Sequence, residues 1–332
     1  MTAAARLHGP RDLRIEPAPT RAPNDGEIVV RVAYAGVCGS DLHVWRTGDF
    51  VPAFPVTPGH EVAGVVEHSA AAGPLVGEAV VLDSRVACRT CAACRAGAAQ
   101  LCAQLGFVGE VCDGGFAQRV VVAASDVFAV PAGLPLDLAV LAEPVAVALH
   151  ATRLAERLAD SAERIVIFGG GPIGVLHALV LDPTREVVIV EPATERARLA
   201  ASVTGRRVVP TAGGLTPADV VFDCAGYAGS LATAAALARP GATVVAVALH
   251  ERKESLDAND FVARELRLVG AHVFQDEIAE ALTTLANAQA RFRPVVTSTL
   301  SLAELPAHFA RAAAGVYEDL KVIVDPTRGQ PR

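Results

Sequence analysis

The sequence predicts an α/β protein of two domains, one of which contains a doubly wound parallel sheet. The chain has 332 residues, of which 52% are hydrophobic, enough for two domains of ordinary size with large cores. Between residues 164 and 274, short apolar runs alternate with alanine-rich helical stretches, the pattern of a parallel sheet covered by helices. Four of the seven cysteines fall in residues 88–102, outside this alternating region.

The composition excludes several classes of partner. The formal net charge is -7, Lys253 and Lys321 are the only lysines, and no basic run occurs, so we expect no nucleic-acid partner. The N-terminal residues MTAAARLHGPRDLRIEPAP contain charges and prolines where a signal peptide needs an apolar stretch. No apolar run approaches the length of a membrane span. We therefore expect a soluble cytoplasmic protein, whose reducing surroundings favour metal ligation over disulfides.

Three segments carry candidate ligands for a metal. Cys38 lies in GVCGSDLH, and Glu143 lies in LAEPVAVALH. His60 and Glu61 lie together in PGHEVAGVV. Each residue alone is a weak signal, because single cysteines and histidines usually pack in a core and a glutamate before a proline often ends a helix or loop. Together they offer one thiolate, one imidazole and one or two carboxylates, enough for a three-ligand zinc with an open fourth position, as catalytic zinc requires.

The cysteine cluster, CRTCAACRAGAAQLC, has the spacing C-x2-C-x2-C-x7-C and contains Cys88, Cys91, Cys94 and Cys102. Four thiolates complete a tetrahedral zinc shell without room for water or substrate, so we expect a structural zinc. An iron–sulfur cluster also takes four cysteines, but the ferredoxin-type spacings differ and no proline follows the last cysteine. The acidic net charge argues against the remaining alternative, a zinc ribbon that binds nucleic acid.

A dinucleotide-binding turn is predicted in RIVIFGGGPIG. The apolar run at 165–168 predicts a buried strand, and the motif G-x-G-x-x-G follows it. The first glycine permits a tight turn, the second lets a pyrophosphate approach the backbone, and the third allows close helix–strand packing. The helix that follows offers free N–H groups to the phosphates, and proline suits its first turn. The candidate cofactor-binding residues of this turn are Gly169, Gly171, Pro172, Ile173 and Gly174.

A second strand, residues 186–190, leads to Glu191. The Glu191 carboxylate can accept hydrogen bonds from a ribose 2′-OH and would repel a 2′-phosphate, which favours NAD over NADP. Arg196 could contact a 2′-phosphate, although such arginines are more often the solvated face of a helix. An ordinary glycine-rich turn is the alternative, but strand, glycines, helix, second strand and terminal acid occur in the required order. Further parallel strands are predicted within residues 218–226, 241–249 and 264–274.

The motifs follow one another along nearly the whole chain. The order GVCGSDLH, PGHEVAGVV, the four-cysteine segment, DGGFAQRVVV, AEPVAVALHA and GGGPIG resembles that of the zinc-dependent medium-chain dehydrogenase/reductase family. The chain is most similar to the sorbitol, threonine and other polyol or aminocyclitol dehydrogenases, since liver-type enzymes have a second cysteine where this chain has Glu143. The resemblance implies a GroES-like β-barrel-type catalytic zinc domain, residues 1–145 and 292–332, and a Rossmann NAD-binding domain, residues 146–291.

The resemblance also implies roles for the candidate metal ligands. Cys38 and His60 would bind a catalytic zinc. Either Glu61 or Glu143 would be the third protein ligand, with the other carboxylate near the metal or joined to it through water. Asp41 would orient His60, a recurrent need of ligand histidines.

The implied activity is hydride transfer between a secondary alcohol and NAD, with two zinc ions in each chain and a homodimer or homotetramer as the assembly. Ser40 would contact the reacting hydroxyl, and His43 would continue a proton path to solvent. The alcohol could be a polyol, an amino alcohol, a cyclitol or a sugar intermediate. Two alternatives stay open, a zinc-free quinone or double-bond reductase and a non-enzymatic NAD-binding redox sensor. Candidate pocket residues beside the motifs are Trp45, Phe50, Phe107, Phe116, His272 and Phe274.

Overall fold

The structure, a computed structural model, describes residues 2–71, 73, 75–158, 162–250, 252–316 and 318–329. Its backbone forms two compact units. The first comprises Met1–Glu143, Ile278–Tyr317 and Lys321–Arg332, and the second comprises Pro144–Glu277 and Glu318–Leu320.

The helices and strands, in chain order, fall into three stretches. The first contains β1 (Thr2–Gly9), β2 (Asp12–Ala18), β3 (Glu27–Gly36), α1 (Gly39–Thr47), β4 (Glu61–Ser69), β5 (Ala79–Leu82), β6 (Arg85–Val86), α2 (Ala92–Arg95), β7 (Gly106–Phe107), β8 (Arg119–Ala123), β9 (Val127–Ala129), α3 (Leu136–Ala139) and α4 (Ala142–Glu156). The second contains β10 (Arg164–Phe168), α5 (Pro172–Val180), β11 (Glu186–Val190), α6 (Thr194–Thr204), β12 (Arg207–Val209), β13 (Ala218–Asp223), α7 (Ser230–Leu237), β14 (Ala238–Ala246), α8 (Ala258–Arg264) and β15 (Arg267–Gly270). The third contains α9 (Ile278–Asn287), α10 (Gln289–Phe292), β16 (Val296–Ser301), α11 (Leu305–Ala313) and β17 (Lys321–Asp325).

The first unit is built on a seven-stranded sheet with the order β16-β17-β3-β4-β5-β9, in which β8 also pairs with β3. Strand β3 is its centre, because it pairs antiparallel with β4, β8 and β17. The alternate residues Ile28, Val30 and Val32 of β3 are fully buried, as the two-residue period of a strand requires. They belong to one apolar core together with Phe116 and Phe309.

The second unit contains the predicted parallel sheet. Its six strands have the order β12-β11-β10-β13-β14-β15, and every neighbouring pair is parallel. This is a doubly wound sheet whose strand order reverses between β10 and β13, the position where such sheets bind ligands at the carboxyl ends of their strands. The predicted doubly wound sheet is confirmed. Strand β13 ends earlier than predicted, because the Asp223 side chain accepts hydrogen bonds from the amides of Ala225 and Gly226 and closes a turn there.

One helical stretch among the described residues is long and apolar enough to cross a membrane, Leu136–Glu156. It contains α3 and α4, and 78% of its most apolar window is buried inside the protein. Burial of this kind is typical of the core helix of a soluble protein.

Candidate zinc and cofactor sites

The candidate catalytic metal site lies where β3 ends and β4 begins. The antiparallel register pairs Gly36 with Glu61, so Cys38, just beyond β3, lies beside His60 and Glu61 at the start of β4. One ligand atom from each of these three side chains lies within 4.8 Å of the other two. A Cβ atom at position 36 would lie 1.8 Å from Glu61 Oε2. Glycine at position 36 therefore leaves the space that this carboxylate occupies.

The two carboxylate oxygens of Glu61 have different surroundings. Oε1 accepts a hydrogen bond from Lys321 Nζ, and the same ammonium donates to the carbonyl oxygen of Val37 at 2.8 Å. Oε2 is buried and has no hydrogen-bond partner among the described residues. A buried polar atom without a partner is costly and uncommon. A zinc ion between Cys38, His60 and Glu61 would satisfy it, so the residues present fit this metal.

Asp41 connects the segments that carry Cys38 and His60. Its Oδ2 accepts a hydrogen bond from the Cys38 amide at 2.9 Å, and its Oδ1 accepts one from the Gly59 amide at 3.2 Å. Asp41 Oδ1 also lies 3.6 Å from Nδ1 of His60, and both side chains are buried. This arrangement directs Nδ1 of the imidazole towards a carboxylate and leaves Nε2 for a metal.

Glu143 lies in the first turn of α4, where Pro144 after it is well tolerated. It is buried, and its Oε1 accepts a hydrogen bond from Ser84 Oγ at 3.2 Å. Burial raises the pKa of Glu143, His60 opposes this effect and the charge of Glu61 adds to it, with a net result of about 7. Among the described residues, Glu143 belongs to no group of ligand atoms within 4.8 Å. The structure thus brings together Cys38, His60 and Glu61 and leaves Glu143 beside Ser84.

The two expected proton-relay residues lie on α1, which begins directly after Cys38. Ser40 and His43 are three positions apart, so they share one face of the helix, and both are half-buried. Nε2 of His43 lies 3.1 Å from Oδ2 of the exposed Asp49. The imidazole ring also lies 5.7 Å from the ring of Phe50, centroid to centroid. Ser40 therefore lies two residues after the candidate ligand Cys38, and His43 contacts the solvent-exposed carboxylate of Asp49.

The four clustered cysteines form a second candidate metal site. The sulfur atoms of Cys88, Cys91, Cys94 and Cys102 lie within 4.8 Å of one another. Backbone amides point at these sulfur atoms: the Cys88 amide donates to Cys102 Sγ at 3.2 Å, and the Cys91 amide donates to Cys88 Sγ at 3.4 Å. Amide hydrogen bonds of Thr90 and Cys91 lower the pKa of Cys88 to about 6. Such donors stabilise thiolates, the form that binds zinc, so this set also fits the metal.

The glycine motif forms a cradle after β10. Gly169 has φ of +99°, a conformation that glycine adopts without strain. A Cβ atom on Gly174 would lie 1.9 Å from the carbonyl oxygen of Gly169, so helix α5 packs against the turn as closely as the motif requires. Around Gly171, the nearest atom to an added Cβ is Nη1 of Arg196 at 4.0 Å, which leaves the backbone open to a phosphate. Pro172 and Ile173 form the first turn of α5, as predicted.

Glu191 lies directly after β11 and is buried against the glycine turn. Its Oε2 accepts a hydrogen bond from the Gly170 amide, and its Oε1 accepts one from the Ala193 amide, both at 2.9 Å. Nε of Arg196 lies 3.4 Å from Oε2. A carboxylate has about four acceptor positions, so Glu191 can hold the turn and still accept hydrogen bonds from ribose hydroxyls.

Comparisons with known proteins agree with this geometry. Residues 24–132 match the model of the alcohol dehydrogenase GroES-like domain, and residues 184–287 match that of the zinc-binding dehydrogenases. The 2-dehydro-3-deoxy-L-galactonate 5-dehydrogenase of Pseudoalteromonas atlantica is 32% identical, over 97% of this chain and 98% of that protein. The chain belongs to the zinc-dependent medium-chain dehydrogenase/reductase family.

Other relatives of this dehydrogenase support the same family. The sorbitol dehydrogenase of Bacillus subtilis is 29% identical, over 98% of this chain and 97% of its own length. The crystal structure of the 2R,3R-butanediol dehydrogenase of Bacillus subtilis superposes with a TM-score of 0.88 at 28% identity, over 98% of this chain and 100% of that one. The predicted family, the fold class of a GroES-like domain with a Rossmann domain, and the prediction of a zinc-dependent dehydrogenase are confirmed.

For some residues, the sequence did not indicate whether they lie in the site of this dehydrogenase or in its core. Lys321 is one of only two lysines in the chain, but nothing in the sequence indicates that it contacts Glu61, a residue 260 positions away. Its position at the start of the apolar run KVIVD was the one feature of the sequence that could have indicated a buried lysine. Among the suggested pocket residues, Trp45 and Phe116 instead pack in the core around Phe309, with ring centroids 6.0 and 6.2 Å from it. Phe274 is fully buried in the second unit.

Proposed function

We propose that this dehydrogenase oxidises a small secondary alcohol to a ketone with NAD, at a catalytic zinc bound by Cys38, His60 and Glu61. The observation that carries the assignment of the site is the buried Oε2 of Glu61, which lacks a hydrogen-bond partner among the described residues and belongs to the same 4.8 Å group as Cys38 and His60. Glu143 would then lie near the metal without direct ligation. Cys88, Cys91, Cys94 and Cys102 would hold a structural zinc.

The side chains around the site have separate tasks in this mechanism. When bound, zinc supplies a Lewis acid that lowers the pKa of the alcohol hydroxyl, and NAD supplies the hydride acceptor. Asp41 fixes the imidazole of His60 through Nδ1. Lys321 holds Glu61 through Oε1 and offsets its charge in the buried site. Ser40 takes the hydroxyl proton, and His43 passes it to solvent beside Asp49.

We also propose that the enzyme prefers NAD to NADP. The Glu191 carboxylate lies where strand β11 ends, the position whose acid binds the ribose of a dinucleotide. Its charge repels a 2′-phosphate, and Arg196 at 3.4 Å offsets that repulsion only in part because it already pairs with the carboxylate. The pyrophosphate would bind at Gly169, Gly171 and Gly174 and at the first turn of α5.

Three wider assignments belong to the same proposal. Residues 1–145 and 292–332 would form the catalytic domain, and residues 146–291 the NAD-binding domain. The assembly would be a homodimer or homotetramer, and an exposed sheet edge supports this. Strand β15 is the last strand of its sheet, and Leu268 on it is 43% exposed. The protein would act in the cytoplasm.

The test is NAD reduction by the zinc-loaded protein with polyols, amino alcohols, cyclitols and simple secondary alcohols. The matched variants are Cys38→Ala, at the proposed site, and Cys112→Ala, at an exposed cysteine outside both clusters. Cys38→Ala should lose roughly a hundredfold or more in kcat/KM, since even residues that only orient metal ligands change activity by about 10–100-fold. Cys112→Ala should keep wild-type activity.

A Cys38→Ala protein with wild-type turnover would contradict the proposed site. Turnover of a quinone or an activated double bond by zinc-free protein would contradict the proposed function and favour a reductase. The zinc content of each variant should be measured on the same samples, because a lost zinc and an unfolded chain then become distinguishable.

A further inference from the structure

Asp223 ends strand β13 beside the glycine turn and fixes the residues that follow it. Its side chain is fully buried, and Oδ1 accepts hydrogen bonds from the Ala225 and Gly226 amides, both at 3.1 Å. A Cβ atom on Gly169 would lie 3.2 Å from the carbonyl carbon and oxygen of Cys224, so the two backbones are in contact. The segment after β13 therefore lies against the turn that is proposed to bind the pyrophosphate.

The segment that ends β14 is bound to the same residue. The amides of Val247 and Ala248 both donate to the carbonyl oxygen of Asp223 at 3.0 Å. A Cβ atom on Gly226 would lie 2.6 Å from the carbonyl oxygen of Leu249, so the two segments pack backbone against backbone. They therefore extend together beyond the carboxyl edge of the sheet, where a doubly wound fold binds its ligand.

His250 follows this segment and lies between two carboxylates. Its Nε2 is 3.3 Å from Asp223 Oδ2, and its Nδ1 is 3.9 Å from Glu254 Oε1. Both ring nitrogens are buried, and neither forms a well-directed hydrogen bond with another described residue. No lysine or arginine among the described residues forms an ion pair with either carboxylate. Because burying a charge without a compensating group is costly, the imidazole is the neighbour that these carboxylates need.

The two carboxylates also contact the start of helix α7. Ser230, the first residue of α7, is fully buried, and its hydroxyl donates to Asp223 Oδ2 at 2.5 Å. The amide of Gly229, directly before it, donates to the two carboxylate oxygens of Glu254 at 2.9 and 3.0 Å. Through Asp223 and Glu254, His250 thus joins the end of β13, the start of α7 and the segment after β14.

These three elements belong to the second half of the doubly wound sheet. In such folds, each half binds one mononucleotide of a dinucleotide. The first half, β10 to β12, carries the glycine turn and Glu191, which bind the pyrophosphate and the adenosine ribose in the proposed function. The nicotinamide mononucleotide would then lie along the ends of β13 and β14, beside the segment that leads to His250.

We propose that His250 is a positioning residue for the nicotinamide half of NAD. By linking Asp223 with Glu254, it holds residues 247–250 in the conformation against which that half of the cofactor binds. The inference rests on the proposed function, because it assumes that NAD binds across the glycine turn. The adenosine half binds on the other side of this turn, so its affinity does not depend on the link.

The experiment compares the binding of NADH and ADP to the zinc-loaded protein by titration calorimetry. ADP carries the adenosine and both phosphates of NADH but neither the second ribose nor the nicotinamide. The proteins are the wild type, His250→Leu, His250→Gln and His68→Leu. His68 is exposed on β4 in the first unit, so its variant controls for the loss of a histidine.

His250→Leu should weaken the binding of NADH by about tenfold and leave the affinity for ADP unchanged, since a polar link to a buried carboxylate is lost on one side of the site only. His250→Gln should recover most of the affinity for NADH, because its side-chain amide can still donate to Asp223. His68→Leu should bind both ligands as the wild type does.

An unchanged ratio of the two affinities in His250→Leu would overturn the proposal. If both affinities fell together, His250 would only support the fold, and if neither fell, it would have no role in binding. The proposed function survives either result, since the wild type still binds NADH. A wild type that binds neither NADH nor ADP would refute the proposed cofactor site, and this inference with it.

Discussion

Lys321 occupies an unusual position for a lysine, because only 1% of its surface is exposed at the start of β17. Burial lowers its pKa, but the charges of Glu61 and Cys38 raise it more, so the pKa lies above its ordinary value and the side chain is charged. The ammonium has an acceptor in Glu61 Oε1 and another in the carbonyl oxygen of Val37. The ion pair with Lys321 thus occupies Oε1 of Glu61 and leaves Oε2 available to a metal ion.

Removing this ammonium should destabilise the protein. Lys321→Met leaves the Glu61 carboxylate buried without its cation, and breaking a buried ion pair in this way costs about 3–5 kcal/mol. Urea unfolding of the zinc-loaded protein would measure the loss. The control is Lys253→Met, because Lys253 is exposed and its replacement should change the free energy of unfolding by less than about 0.5 kcal/mol. Equal stability of the two variants would contradict the role assigned to Lys321.

At the scale of elements, the segment that carries the four cysteines has little structure of its own. It contains the four-residue helix α2 and a three-residue 3₁₀ turn at Ala99–Leu101, and none of the residues of α2 is buried. An apolar core therefore cannot hold this segment together. Ligation of one ion by four thiolates can do so, since the free energy of binding a structural metal is folding free energy.

Cys91→Ser should therefore remove one zinc ion from each chain and lower the thermal midpoint, because the remaining three thiolates cannot close the tetrahedral shell. Elemental analysis and a thermal melt would measure both effects. Cys112→Ser provides the control, since Cys112 is exposed and lies outside both clusters. Unchanged zinc content in Cys91→Ser would show that the cluster does not hold the metal.

At the scale of the whole molecule, stability at acid pH should depend on Glu277, which is buried in the second unit. It accepts a hydrogen bond from Arg153 Nη1 at 2.9 Å and lies 3.1 Å from Nδ1 of His150. The backbone amides of Gln275 and Asp276 also donate to it. Burial raises the pKa of Glu277, but His150 and the two amides lower it more, to about 2. These contacts together stabilise the ionised form of the Glu277 carboxylate.

The direction of the pH effect follows from this lowered pKa. The stabilisation is complete above the ordinary glutamate pKa of 4.5 and is lost as the pH falls from there towards about 2. The wild type should therefore lose about 1 kcal/mol through this group between pH 7 and pH 4. Glu277→Gln should lack that part of the pH dependence in urea titrations at the two values. Equal acid sensitivity of both proteins would rule out a contribution of Glu277.

Much of the fold and part of the site could be derived from the sequence, because their signals are local. The strand–glycine–helix pattern at Gly169–Gly174 and the acid after the second strand depend on neighbours within about one supersecondary unit. The spacing of the four cysteines likewise suffices to predict that they meet. These features led to the confirmed fold class and family.

The candidate catalytic site depends on contacts between segments far apart in the chain. The sequence could name Cys38, His60, Glu61 and Glu143, but only the register of β3 on β4 decides that Glu61 lies in the 4.8 Å group and Glu143 outside it. The meeting of Glu61 with Lys321, 260 positions away, has no local signal either. By itself the sequence determined the types of ligand. Which of them share one site was decided by the tertiary structure, because only strand pairing brings such distant residues within bonding distance.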